Sequence, residues 1–311
     1  MDANTRSFHV EHVYLESVDQ CPLCCGQVAR PALEATDHTV SHLSFTIQEC
    51  AACGFQFTSP RPNAAVLGDY YRSPNYISHS NQRTGISDKI YQAVRKRAIA
   101  NKRKLIQQHV TGGKALDIGC GTGEFLDHLQ GQGFQVTGVE PSTVAREQAI
   151  ANYALSVLPQ LDSIPPLAQF EVITMWHVLE HMPQPHDTLK QIFARAASDA
   201  LLVIAVPDRD SWDAQHYGRE WAAYDVPRHL SHFRRQDIGR LLSEHGFVLK
   251  ATRPMWFDAP YVSMLTERYR GAGNLVALMK GAFWGTLSNL VALSTRRPTS
   301  STLYIARKGQ A

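Results

Sequence analysis

Residues 116–125 read Leu-Asp-Ile-Gly-Cys-Gly-Thr-Gly-Glu-Phe, and they combine a carboxylate with a backbone able to close on a ligand. Gly119, Gly121 and Gly123 alternate, so the chain can turn sharply with no Cβ between it and a bound group. Cys120 sits inside the turn as a small lining residue, Asp117 stands just before it, and Glu140 ends the next apolar run, which begins at Phe134. An apolar run that enters a glycine turn and leaves it as a helix-compatible run opens the nucleotide-binding half of doubly wound α/β folds. The spacing is G-x-G-x-G, not the G-x-G-x-x-G of dinucleotide sites. Both acids fall at the carboxyl ends of expected parallel strands, where ligands bind in such sheets.

Thiols form a second constellation. Cys21-Pro-Leu-Cys24-Cys25-Gly26 and Cys50-Ala-Ala-Cys53-Gly54 hold five of the six cysteines. Two C-x-x-C pairs at this separation can set four thiolates, those of Cys21, Cys24, Cys50 and Cys53, tetrahedrally around a structural Zn²⁺. A disulfide framework fits an intracellular enzyme poorly. Cys25 reads as a bystander.

Histidines supply the third. In Met175-Trp176-His177-Val-Leu-Glu180-His181, the spacing puts His177, Glu180 and His181 on one face if the segment is a helical turn. Such a face suits a divalent metal; the simpler reading has Glu180 pair with an amide while His177 lines a cofactor pocket. Further on stand Trp221, Tyr224, Arg228, His229 and His232, in a long aromatic segment. An imidazole with its ordinary pKa near 6.5 suits proton transfer at neutral pH. His229 is the first candidate for such a base and His181 the second; a structural His229 that holds its loop is the competing reading.

The glycine turn with Asp117 and Glu140 resembles motif I of class I S-adenosylmethionine-dependent methyltransferases. That ligand carries an amino acid end and a ribose diol but no phosphate. The resemblance implies that Asp117 and the backbone from Gly119 to Gly121 and Gly123 face its methionine moiety, with Cys120 lining the loop, and that Glu140 takes the ribose hydroxyls. It implies that Trp176 and His177, after the fourth strand, border the cofactor. The 177–181 segment also resembles the Glu-x-x-Glu-His cluster of RNA 3′-end 2′-O-methyltransferases, with His177 replacing the first acid. The stretch Arg228-His-Leu-Ser-His232-Phe looks like a segment of zinc-ribbon sugar C-methyltransferases, and the match places His229 on their catalytic base, with Arg228 where they have an acid. Those enzymes use a tyrosine from the N-terminal region, for which Tyr76 is the candidate. Trp221, Tyr224, Arg228 and His232 then fall where substrates bind. The ordered whole resembles uncharacterised bacterial zinc-ribbon methyltransferases over nearly the entire chain.

The elements that must position these groups follow from periodicity. Helices are expected over 87–109, 142–153 and 236–245, and strands over 154–158, 170–175, 201–206, 247–252 and 301–308, the last alternating as an edge strand does. Strands that alternate with helices imply a Rossmann-like, largely parallel sheet, seven-stranded in this class, covered on both faces. The assigned units are a zinc ribbon (1–63), an aromatic linker and helix (64–109) and the methyltransferase domain (110–311), with a helical cap inserted at 254–299. Loops of that length without structure are rare in compact domains.

Composition sets the outer limits. The 311 residues are 44% hydrophobic with a formal charge of +3, which allows a real core and implies no strong attraction to nucleic acid or membrane. No apolar run reaches about 18 residues; 274–293 is broken by Lys280 and Asn289. The N-terminal residues do not form a signal peptide, so a cytoplasmic location is expected. Basic positions on the 87–109 helix read as a solvated face. The expected activity is methyl transfer to a small-molecule, sugar or natural-product acceptor, most readily at oxygen. An RNA methyltransferase and a non-catalytic scaffold are the other classes. Between Cys21 and Cys53, Arg30 is the only Lys or Arg, so the ribbon lacks a nucleic-acid footprint, and a scaffold has no need of Asp117 and Glu140.

Overall fold

The computed structural model describes residues 14–71 and 86–309, the side chains of 86–96 excepted. The chain opens with β1 (Leu15–Glu16), β2 (Ala29–Thr36), β3 (Ser44–Cys50), β4 (Gln56–Thr58), β5 (Arg61–Pro62) and the short α1 (Ala64–Leu67). After α2 (Ile86–Gln107) the alternation sets in: β6 (Gly113–Ile118), α3 (Glu124–Gln130), β7 (Phe134–Val139), α4 (Thr143–Tyr153), β8 (Val157–Leu158), β9 (Phe170–Trp176), α5 (Pro185–Arg195), β10 (Ala196–Pro207) and α6 (Trp212–Tyr217). It closes with β11 (Ser231–His232), α7 (Arg235–Glu244), β12 (Phe247–Pro254), α8 (Asp258–Tyr269), α9 (Asn274–Thr295) and β13 (Ser301–Lys308).

Seven strands form the central sheet in the order β12-β13-β10-β9-β6-β7-β8. Neighbours from β10 to β8 pair in parallel, and β13 runs antiparallel to both β10 and β12. The continuous apolar character of β10, with Ala200 to Val206 all buried, is what a strand covered on both faces requires. β13 departs from its expected place. It lies between two strands rather than at an edge, and Ser301 to Ala306 are all buried. Its alternation misled because a polar side chain of the strand finds a partner inside: Thr302 Oγ1 donates to the buried Asp208 at 3.0 Å.

The cysteine-rich segment builds a separate four-stranded sheet, β11-β4-β3-β2. Its edge strand β11 comes from the aromatic segment after β10, with Ser231 opposite Phe57 and His232 opposite Gln56. The N-terminal module is therefore stitched into the loop carrying His229. Two helices, α8 and α9, fill the stretch between β12 and β13, as expected for a helical cap.

Candidate functional site

The glycine turn is held by geometry that only glycine supplies at two places. Gly119 and Gly123 have φ of 72° and 84°, and a Cβ on them would stand 2.4 Å from Val178 and 2.5 Å from Leu155. At Gly121, also left-handed, nothing lies within 4 Å of that position. The turn is packed on both flanks and open at its middle. Gly119 and Cys120 both donate to the Val139 carbonyl, which ties the turn to the end of β7.

The two acids keep their expected stations. Asp117 is buried and accepts a 2.5 Å bond from Thr174 Oγ1 on the neighbouring β9. Burial pushes its carboxyl up to about 7, against the opposing pull of Thr174 and the Lys102 ammonium. Glu140 accepts the Gly121 amide on one oxygen (3.0 Å) and the Ser142 amide on the other (2.8 Å), so it shapes the turn that it faces. Lys102, on the basic helix α2, is not part of a solvated face: its Nζ stands 4.3 Å from the Trp176 ring centroid, beside Phe125.

Beyond β9 the chain does not form the expected helical turn from His177. His177 takes a left-handed φ of 58°, and a short 3₁₀ turn covers only Leu179–His181. His177 Nε2 lies 3.2 Å from Asp258 at the start of α8, with Nδ1 3.5 Å from Glu180. Burial disfavours its cation, but the Asp258 and Glu180 carboxylates outweigh that and raise it to about 10. Glu180 also faces His181 and His229: one ligand atom from each of the three lies within 4.8 Å of the others.

The tautomers in this cluster follow from carbonyls, which only accept. His229 Nδ1 is 2.8 Å from the Ala223 oxygen and His181 Nδ1 is 3.0 Å from the Arg228 oxygen, so both Nδ1 atoms carry the proton. His229 Nε2 is left unprotonated, 4.0 Å from Glu180 Oε1 and 3.9 Å from Asp225 Oδ2. Burial, together with His181, brings His229 down to about 4. Its ordinary value near 6.5 does not apply; the imidazole stays neutral through the physiological range.

Four residues expected at the acceptor are buried and held by contacts within the framework. Arg228 is 1% exposed and joins Asp225 of its own loop to Asp37 after β2. His232 donates from Nε2 to Thr58 Oγ1, whose own proton goes to the His229 carbonyl at 2.8 Å. Trp221 donates to Asp213, and Tyr224 is buried against Trp221 and His232. Tyr76 lies outside the described residues. Another tyrosine of the N-terminal region, Tyr71, reaches this cluster: its hydroxyl is 3.1 Å from His181 Nδ1. It was present in Asp69-Tyr-Tyr-Arg, but nothing in the sequence separates it from Tyr76. Asp225 and Asp258 carried no signal either, since each matters only through a contact made in space.

The four paired cysteines converge. Sγ of Cys21 and Cys53 are 3.7 Å apart and those of Cys24 and Cys50 3.5 Å, close to the roughly 3.8 Å separation that four Zn–S bonds of about 2.3 Å impose. Cys25 is exposed and left-handed, with φ of 59°, as Gly54 is in the second knuckle at 71°, which fits a bystander.

Residues 91–252 match the model of the methyltransferase domain family. A ubiquinone biosynthesis O-methyltransferase from Glaesserella parasuis is 33% identical over 110 residues, which are 32% of this chain and 47% of that protein. One from Pseudomonas aeruginosa is 27% identical over 53% of this chain and 75% of its own length. The chain thus spans about half the length of the first of these curated relatives. Among solved structures, magnesium protoporphyrin IX methyltransferase from Synechocystis PCC 6803, with S-adenosylhomocysteine bound, superposes with a TM-score of 0.53 at 12% identity, covering 79% of this chain and all of that one. That likeness is one of fold.

Proposed function

The chain belongs to the methyltransferase domain family, with the class I fold, and from that premise we propose that it transfers the methyl group of S-adenosylmethionine to an oxygen of a small-molecule, sugar or natural-product acceptor. The bound cofactor supplies an electrophilic methyl on a sulfonium. Asp117 and the open middle of the glycine turn would receive its amino acid end, Glu140 its ribose, and Trp176 and His177 would border it. The relatives named as O-methyltransferases support oxygen as the acceptor atom.

One observation carries the chemistry: the lone pair of His229 Nε2, its tautomer fixed by Ala223, opens between two carboxylates. A hydroxyl at that nitrogen would give up its proton to Nε2 as its oxygen takes the methyl, the methyl–sulfur bond breaking to leave a neutral thioether. The imidazolium that results is stabilised by Glu180 and Asp225. His181, edge-on to His229 at 4.6 Å, is held by Arg228 and Tyr71 and positions the first imidazole. His229→Ala should lower turnover by roughly 10²–10⁴-fold with cofactor affinity nearly unchanged. His181→Ala, compared on the same acceptor, should cost less. Equal turnover in wild type and His229→Ala would remove the base assignment.

A second reading rests on the convergence of Glu180, His181 and His229, a two-histidine, one-carboxylate set that suits a transition-metal ion. A metal there would lower the hydroxyl pKa in place of the base. Metal analysis separates the two, since it requires a second equivalent that His181→Ala loses. The first equivalent we assign to a structural Zn²⁺ on Cys21, Cys24, Cys50 and Cys53.

A further inference from the structure

Helix α9 buries the wrong face for an ordinary surface helix. At about 100° per residue, Ala277, Gly281, Gly285, Ser288 and Ala292 share an arc of about 80°, and all five are buried. Their smallness lets α8 come close: a Cβ on Gly285 would stand 2.3 Å from Pro260, and one on Gly281 2.6 Å from Met264. The large side chains are on the opposite arc. Leu275, Met279, Phe283, Leu290 and Leu293 are 55–70% exposed, in one stripe along a helix of about 33 Å. Trp256 and Phe257, just before α8, add exposed aromatic surface beside Asp258, the partner of His177. Where the sequence suggested interruption by Lys280 and Asn289, α9 is long and apolar enough to cross a membrane.

Charge decides what such a face meets. Between Trp256 and Arg297 there are two acids and five bases. Both acids are engaged, Asp258 with His177 and Glu267 with Lys280. The bases Arg268, Arg270, Lys280, Arg296 and Arg297 are exposed; Arg270 is paired with Glu220 and Lys280 with Glu267, and Arg268, Arg296 and Arg297 flank the ends of α9. A second copy would bring the same cations against themselves. An anionic lipid headgroup layer complements them, while the stripe enters the acyl boundary and the aromatic rings sit at its level.

We propose that the α8–α9 hairpin docks this protein on the surface of an anionic bilayer, with α9 lying in the interface rather than crossing it. The small-residue face of α9 is committed to α8, which leaves one side for lipid. The proposal stands apart from the methyl-transfer reading, because vesicle binding needs neither cofactor nor acceptor.

The test is co-sedimentation of the full chain with vesicles of phosphatidylcholine alone and of phosphatidylcholine with phosphatidylglycerol. Wild type should pellet with the anionic vesicles, more weakly as salt rises, and weakly with phosphatidylcholine alone. Phe283→Glu and Met279→Glu, at exposed positions outside the site, should each reduce binding about tenfold or more while the melting temperature and circular dichroism stay unchanged. Absence of pelleting, or Phe283→Glu binding as wild type does, would overturn the proposal. So would a dimer in light scattering that Phe283→Glu dissociates without any vesicle binding, which would give the face to a second copy. Resistance of the bound protein to alkaline carbonate would mean that α9 spans.

Discussion

In the proposed cofactor site, Asp117 would couple ligand binding to pH. With its carboxyl pushed up to about 7 by burial, which outweighs the pull of Thr174 and Lys102, it holds a proton through mildly acid pH. From its ordinary value of 3.8 up to about 7 the folded state binds more protons than the unfolded one, so this group makes the unliganded protein less stable as pH rises through that window. A cationic amino acid end needs the ionised form. Cofactor affinity should therefore climb with pH by up to about tenfold per unit below 7 and level off above it. Asp117→Asn should bind weakly and show no slope. Calorimetry at several pH values checks this, and an equal slope in the variant would assign the proton elsewhere. His229 is the opposite case, since burial lowers its pKa and keeps it neutral while weakening it as a base.

At the scale of the element, α9 and the glycine turn use glycine for different reasons. In the turn, positive φ is the requirement. In α9 the backbone is helical, and what Gly281 and Gly285 provide is a close approach to α8. Gly285→Ala should cost roughly 1–3 kcal/mol, since its Cβ meets the Pro260 backbone, which cannot step aside as a flexible side chain would. A thermal melt unchanged from wild type would mean that α8 and α9 separate more readily than their packing implies. Because Asp258 begins α8, a shift of this hairpin should also loosen His177.

Across the whole molecule, the cysteine module and the His229 loop form one unit. β11 completes the module's sheet, Arg228 ties the loop to Asp37, and Arg234 donates to the Cys53 carbonyl at 2.9 Å, within the second knuckle. Purified protein should hold about one zinc per chain. Cys50→Ser should lose it, and hydrogen exchange should then rise both in the knuckles and in residues 225–234, while the glycine turn keeps its protection. Zinc retained by Cys50→Ser would refute the ligand set. Zinc lost without any change at 225–234 would show that the two parts are independent.

What the sequence determined by itself was local chemistry. The glycine turn, the acids at two strand ends and the paired cysteines are fixed by spacings of a few residues, where backbone geometry leaves little choice. The alternation of strand and helix came from periodicities of the same short range. Tertiary structure decided the partners. His229 met Glu180 rather than standing alone, Arg228 met Asp37 rather than an acceptor, and Tyr71 reached His181. It also placed β13 inside the sheet and turned the large face of α9 outward. These outcomes depend on contacts between residues dozens to nearly two hundred positions apart. No local pattern encodes them, because a side chain's burial and charge state are set by whatever the rest of the chain packs against it.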